Sequence, residues 1–206
     1  ISSTVGDLPT GVRLAYGRSW LEGNTTDRLF DADYILLSGC NPSVTRIPDA
    51  HFIWEARYNG CRVVSMAPDY NPSSIHADLW LPVKQGTDPF VMMSLVHVVI
   101  HENLVDWHFV REQTDLPLLV RQDNQRLLRQ RDLEPGGSDE IFYFWDQRTR
   151  QAVPAPGSMG SPERTIALGD IGPALEGSYR VNGIAVQPAY EAVRREALQF
   201  SPESTA

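Results

Sequence analysis

Short apolar runs that stop at turn residues alternate, through the first half of the chain, with longer segments of helical pattern. "DYILLSG" (33–39) is such a run, ending at a glycine. The following "CNPSVTRIPDAHFIWEARYNG" places Pro48 and Asp49 in a first helical turn and Gly60 at the stop, which predicts a loop and a helix. "RVVSMAP" (62–68) repeats the strand signal with β-branched residues, and "ADLWLPV" (77–83) gives a third strand after a loop rich in proline and serine. "QGTD" then opens an apolar helical segment over 89–104. The order β-α-β-loop-β-α predicts an α/β fold, a Rossmann-like parallel sheet flanked by helices with right-handed crossovers. In open sheets of this kind ligands bind beyond the carboxyl ends of the strands, and both Asp69 and Asp88 fall at such ends.

Beyond residue 115 the texture changes. "LPLLVRQDNQRLLRQRD" and "IFYFWDQRTRQAVPAPG" carry apolar residues on either side of polar turn residues, as hairpins or an inserted β-ribbon do, and "EPGGSDE" separates them. A final amphipathic helix over about 188–199 sets Tyr190, Val193 and Ala197 on one face. The expected organisation is therefore an α/β domain over 1–115, a β-hairpin-rich insertion over 116–186, and a helix over 187–206 returning to the α/β domain.

Composition narrows the function classes. The 206 residues are 42% hydrophobic and 21% charged, which is ordinary for a globular chain. A net charge of -8 and a pI near 5.1 leave no basic stripe to neutralise phosphates, so a nucleic-acid partner is not expected. "FVMMSLVHVVI" is too short to span a bilayer and suits a buried helix, so no membrane span is expected. Cys40 and Cys61 are the only cysteines, too few to assemble a four-cysteine zinc site or an iron–sulfur cluster from this chain alone. The opening "ISSTVGDLPTG" and the closing "FSPESTA", where Ser201, Pro202 and Glu203 form a helix start, read as the ends of an internal fragment.

Several residues are candidates for chemistry. In "SGCNPSVTR" Gly39 stands at a tight turn, Asn41 offers a side-chain donor, and Arg46 lies near a helix start; the layout suits a phosphate and equally a plain strand-to-helix turn. It is not a G-x-G-x-x-G fingerprint. Asp69 ends the second strand, where dinucleotide folds place a ribose-binding acid. Asp88 before Pro89 is a natural helix cap; alternatively Gly86 lets the backbone approach a ligand while Thr87 and Asp88 bond a purine edge. His97 and His101 lie one helical turn apart but lack the H-E-x-x-H order of a zinc protease, and a partly buried His97 with an exposed His101 is the expected arrangement. Asp7 in "VGDLPTG" reads locally as a turn aspartate.

"LSGCNPSVTRIPDAHFIWEARYNG", "VVSMAPDYNPSSIHADLWLPVKQGTD" and "REQTDLPLLVR" closely resemble the molybdopterin oxidoreductases, and within them the catalytic subunits of the type II branch of the dimethyl sulfoxide reductase family. The similarity runs through nearly the whole chain and is strongest over 32–120. It implies a catalytic-subunit fragment of a molybdenum enzyme that moves an oxygen atom or hydroxyl, of the nitrate/nitrite, selenate, chlorate or hydrocarbon type. The implied cofactor is molybdenum bis(molybdopterin guanine dinucleotide), with a 4Fe-4S cluster in the full-length chain and not in this fragment.

The resemblance further implies that Gly39, Cys40, Asn41, Pro42 and Arg46 line the pyrophosphate of one pterin guanine dinucleotide. Pro68 and Asp69 would meet its ribose or guanine and Gln85, Gly86, Thr87 and Asp88 its guanine end, with contributions from Asn71 and His76. "DLP" at Asp7 to Pro9 matches the segment carrying the aspartate ligand of molybdenum, so Asp7 is the expected metal ligand and catalytic residue; a hard, high-valent metal suits an oxygen donor. Where the family often has tryptophan and serine around the loop glycine, this chain has Ser38 and Cys40. Implied partners are an iron–sulfur beta subunit, a heme-containing or membrane-anchor subunit and a small-molecule substrate. Periplasmic export on a twin-arginine signal and the cytoplasmic face of the membrane both stay open. The fragment alone is expected to be inactive. The rival readings are a catalytically silent nucleotide-binding or structural module of the same fold and, disfavoured by the missing glycine fingerprint, a nicotinamide-dependent dehydrogenase.

Overall fold

The computed structural model describes residues 25–158 and 167–205. The chain divides into two compact units, one up to Asp88 and one from Pro89.

The first unit is built on a parallel three-stranded sheet in the order β1-β2-β3, with β1 Tyr34–Ser38, β2 Arg62–Ala67 and β3 Leu79–Pro82. β1 pairs with β2 from Tyr34 opposite Arg62, and β2 with β3 from Val64 opposite Leu79. A 3-10 turn, Thr26–Asp31, precedes β1; α1 (Pro42–Thr45) and α2 (Ile47–Tyr58) connect β1 to β2, and α3 (Pro72–His76) connects β2 to β3. These strands and the main crossover helix fall within a residue or two of the runs that predict them. Burial explains why β2 is central: Val63, Val64, Ser65, Met66 and Ala67 are all buried, so both of its faces are covered, as the continuous apolar pattern requires. Ile35, Leu37 and Val63 pack against Ile53 and Ala56 of α2, with Cys61 completing the cluster.

The "NPSS" stretch, expected as a loop, folds into the single turn of α3. The Asn71 side chain caps it, accepting hydrogen bonds from the backbone N–H of Ser73 (3.0 Å) and Ser74 (3.1 Å). At the amino edge of the sheet the Asp78 carboxylate accepts from the Val63 N–H (2.8 Å) and pairs with Arg57 (2.7 Å), pinning the crossover helix to β2.

The second unit holds α4 (Asp88–His101, which begins on the last residue of the first unit), α5 (Trp107–Gln113), β4 (Leu119–Arg121), α6 (Gln130–Leu133), β5 (Tyr143–Asp146), β6 (Gln151–Pro154), β7 (Tyr179–Val181), β8 (Ile184–Pro188), α7 (Ala189–Ala197) and α8 (Pro202–Thr205). All its strand pairs are antiparallel: β4-β8-β7 form one sheet and β5-β6 a separate hairpin. Asn182 and Gly183, both at positive φ, close the β7–β8 hairpin. Leu119, Leu128, Tyr143 and Val186 form the core.

Two expectations change here. The stretch "QRDL", read as part of a hairpin, is the helical turn α6, because Asp132 reaches back to accept the Arg129 N–H (2.9 Å) while pairing with Arg121 (2.7 Å). The apolar helix read as buried is α4, in which Ser94 is the only buried residue, and Phe90, Leu95, Val96 and Val99 are exposed. Among the described residues no helix is long and apolar enough to cross a membrane.

Candidate functional site at the carboxyl edge of the parallel sheet

Because β1, β2 and β3 run in the same direction, the segments that follow them all emerge at one edge. β1 is tied to β2 up to its last residue, and the Gly39 N–H extends the ladder by donating to the Met66 carbonyl (2.9 Å). Gly39 then turns the chain at φ +61°, a left-handed conformation that a β-carbon disfavours, and a β-carbon placed there would meet no atom within 4 Å. The glycine is needed for its backbone angle and leaves open space above it.

The segment 39–46 is fastened to α3, which follows β2, by hydrogen bonds. The Ser73 hydroxyl donates to Asn41 Oδ1 (2.7 Å) and accepts the Ser43 N–H (3.0 Å). The Ser43 hydroxyl oxygen is buried and has no hydrogen-bond partner among the described residues. A buried hydroxyl left in that state is costly, and a polar ligand at the loop would satisfy it. Pro42 is buried at the start of α1. Cys40 is exposed, yet crowding around its sulfur raises the thiol pKa above its ordinary value, with the Arg46 charge pulling the other way. Arg46 lies 3.5 Å from Asp49 in a largely solvent-exposed pair that leaves the guanidinium accessible.

Between the ends of β2 and β3 lies an open cleft of about 590 Å³, lined by Pro68, Pro82, Val83, Lys84 and Gln85. Its size falls in the range of ligand sites. Trp80 borders this edge, its indole N–H donating to the Ala67 carbonyl (3.0 Å) and its ring meeting Tyr70 edge-on at 5.1 Å. Gly86, at φ +81°, forms the turn after the cleft, in which the Thr87 hydroxyl donates to the Lys84 carbonyl (2.6 Å). Asp88 does not act as the expected cap: it is the first residue of α4, and its carboxylate accepts no hydrogen bond from the described residues. Asp69 is likewise exposed, and among the described residues only its backbone carbonyl is engaged, by the Asn71 N–H.

The structure thus brings Pro68 and Gln85 into one cleft, and sets Gly39, Cys40, Asn41, Pro42 and Arg46 on a neighbouring loop of the same edge. Asp69, Thr87 and Asp88 flank this edge without lining the cleft. Asn71 is spent on capping α3, and His76 packs on Trp54 at 5.4 Å. Asp7 lies outside the described residues. Sequence reasoning passed over Lys84, the cation of the cleft, whose position in "LPVKQGTD" directly after a strand was the available signal. It also passed over Ser73, which nothing but three-dimensional proximity to Asn41 reveals. His97 is half-buried beside the Ala197 carbonyl (3.3 Å), and His101 is exposed and stacked on it, as expected. Among the described residues no group of three or more acidic, histidine or cysteine side chains is arranged to hold a metal ion.

An open parallel sheet with a polar loop and a ligand-sized cleft at its carboxyl edge defines the class: an α/β protein with a candidate ligand site at that edge. The chain belongs to the molybdopterin oxidoreductase family, whose profile matches residues 2–175. It is 60% identical over its whole length to the dimethylsulfide dehydrogenase subunit alpha of Rhodovulum sulfidophilum, covering 22% of that protein. It is 47% identical over 99% of its length to the chlorate reductase subunit alpha of Ideonella dechloratans, of which it covers 22%. With the perchlorate reductase subunit alpha of Dechloromonas aromatica it shares 40% identity over 98% of its length and 24% of that protein. The chain therefore spans about a fifth to a quarter of the length of these relatives.

Proposed function

We propose that this chain is part of the catalytic alpha subunit of a bis(molybdopterin guanine dinucleotide) oxidoreductase of the type II branch, and that the carboxyl edge of the parallel sheet holds the nucleotide arm of one pterin. The observation that carries the reading is the unsatisfied polarity of that edge in a member of this family. The Ser43 hydroxyl is buried without a partner among the described residues, and Arg46 and Lys84 supply positive charge beside a backbone turned open by glycine. This donor set suits an anionic pyrophosphate.

On this reading Gly39, Cys40, Asn41, Pro42 and Arg46 bind the pyrophosphate, Pro68 and Asp69 meet the ribose or guanine, and Gln85, Gly86, Thr87 and Asp88 hold the guanine end. The Asp88 carboxylate, which meets no donor among the described residues, suits the paired N–H donors of a guanine edge. Asp7 supplies a carboxylate oxygen to molybdenum, and the cofactor supplies the two-electron redox chemistry of oxygen-atom or hydroxyl transfer. The names of these relatives point to a small sulfur compound or a chlorine oxyanion as substrate. The alpha-subunit designation of those relatives supports a multi-subunit complex, with an iron–sulfur beta subunit and a heme-containing or membrane-anchor subunit carrying electrons. In the longer protein, residues 116–186 form an insertion in the cofactor domain and 187–206 resume it.

Metal and nucleotide analysis of the purified full-length protein tests this. The expected result is molybdenum with two guanine nucleotides per metal, and loss of turnover in Asp7→Ala with the nucleotides retained. Active full-length protein free of molybdenum overturns the reading.

A further inference from the structure

Ser73 is fully buried in α3, the turn that follows β2, yet its hydroxyl serves the segment after β1. A serine hydroxyl has one hydrogen and two lone pairs. One lone pair takes the Ser43 N–H at 3.0 Å, and the hydrogen goes to Asn41 Oδ1 at 2.7 Å. Occupying Oδ1 fixes which way the Asn41 amide faces, and its nitrogen, with two hydrogens, meets no acceptor among the described residues. The anchor is itself held in place: the Ser73 N–H donates to Asn71 Oδ1 (3.0 Å), and the neighbouring Ser74 is held by Asn71 (3.1 Å) and by the Ser65 hydroxyl (2.9 Å).

We infer that Ser73 is a positioning residue for the nucleotide arm: through its bond to Asn41 it presents the Asn41 amide nitrogen, together with the Ser43 hydroxyl, as preset donors to an anionic phosphate oxygen. The inference rests on the proposed nucleotide site and adds the element that organises it. Donors held in place before binding spare the ligand the entropy of ordering them, so the loss of Ser73 acts on retention of the nucleotide as well as on the fold. The neighbouring hydroxyl pair of Ser65 and Ser74 supplies a control, since it is equally buried and, among the described residues, makes no side-chain hydrogen bond to the segment after β1.

The experiment uses the cofactor-loaded full-length protein and follows release of guanine nucleotide, measured by chromatography, in urea below the unfolding transition, with Tm recorded separately. Ser73→Ala and Asn41→Ala are each expected to speed release by about tenfold, and the double variant by no more than about twofold beyond Asn41→Ala alone. Ser74→Ala is expected to lower Tm with release unchanged. Should Ser73→Ala fail to accumulate, Ser73→Cys keeps the size with a far weaker donor and is expected to give the same faster release. Multiplying effects of Ser73→Ala and Asn41→Ala overturn the inference, as does a Ser73 effect that merely tracks Tm in the way of Ser74→Ala. If Asn41→Ala and Arg46→Ala both leave release unchanged, the nucleotide site itself has failed and the inference with it. If both speed release and neither Ser73 variant does, only the positioning role has failed.

Discussion

Each of the two compact units buries a polar cluster, and the clusters end differently. In the antiparallel unit Asp146 is buried and its carboxylate is saturated: Thr149 donates through its hydroxyl (2.8 Å) and its N–H (3.3 Å), Gly172 through its N–H (3.0 Å) and Arg148 through its N–H (3.2 Å). In the parallel unit the buried Ser65, Asn71, Ser73 and Ser74 lead to a buried hydroxyl at Ser43 with no partner among the described residues. A polar group that is complete within its own fold holds structure together; one left open at a strand edge points outward to a ligand. The contrast separates two kinds of buried polarity that composition alone reports as one.

The largest test of the contrast removes apolar packing from the saturated unit. Leu119 is fully buried at the centre of its core, so Leu119→Ala should cost about 3 kcal/mol from lost burial and the cavity left behind. Hydrogen exchange of the full-length protein should show the loss in peptides covering Tyr143–Pro154 and Tyr179–Pro188. Equal loss across Tyr34–Ser38 and Arg62–Ala67 would show that the two units do not unfold separately and would break the comparison.

A smaller effect should follow from Asp146→Asn, which keeps the shape and removes the charge. The Thr149 hydroxyl, ahead of the Gly172, Arg148 and Thr149 N–H groups, holds the Asp146 carboxyl down to about 2 from an ordinary 3.8. Since the folded-state value is depressed, the stabilisation is fully present above the ordinary carboxylate range and is lost as pH falls from there through about 2. Exchange protection of the turn 146–149 and of Gly172 should therefore fade in that window in the parent protein. In Asp146→Asn it should be weaker at neutral pH and flat through the window. A pH response that survives the substitution assigns the acid sensitivity to another group.

How much of this was legible follows the range of the interactions. β1, β2, α2 and the start of α4 announce themselves through local apolar runs and turn residues, because their pairing and burial repeat at short period along the chain. The hairpin turn at Asn182-Gly183 carries an equally strong local signal that a broad reading of 116–186 passed over. α6 escaped for a different reason. Its turn is stabilised by Asp132 meeting Arg121, a contact made once the chain after β4 folds back so that Val120 bridges Leu127. The same limit applies at the candidate site. Gly39 and Gly86 are legible as turns, and the cofactor roles proposed for their neighbours rest on resemblance to a family. The Asn41–Ser73 bond joins side chains 32 positions apart, and no local pattern encodes it. Asp88 shows the converse, a residue whose local signature as a helix cap is strong and whose side chain caps nothing among the described residues.

The smallest expected effect falls at the opposite edge of the parallel sheet, where the Asp78 carboxylate is engaged by contacts within its own unit. The Arg57 side chain first, and then the Val63 N–H, hold the Asp78 carboxyl below its ordinary value. Both partners are partly open to solvent, at 36% for the Arg57 side chain and 30% for that of Asp78, so screening discounts the pair. Most of the cost of Asp78→Ala should come from the orphaned Val63 N–H, about 1 kcal/mol in all. That loss should appear as a lower urea midpoint of the full-length protein, with release of guanine nucleotide at the parental rate. Arg57→Ala should cost less, because the backbone bond to Asp78 survives it. If instead Asp78→Ala sped nucleotide release as strongly as Asn41→Ala, the two edges of the sheet would be coupled through β2. Satisfied and unsatisfied polarity would then no longer distinguish structural residues from ligand-binding ones in this unit.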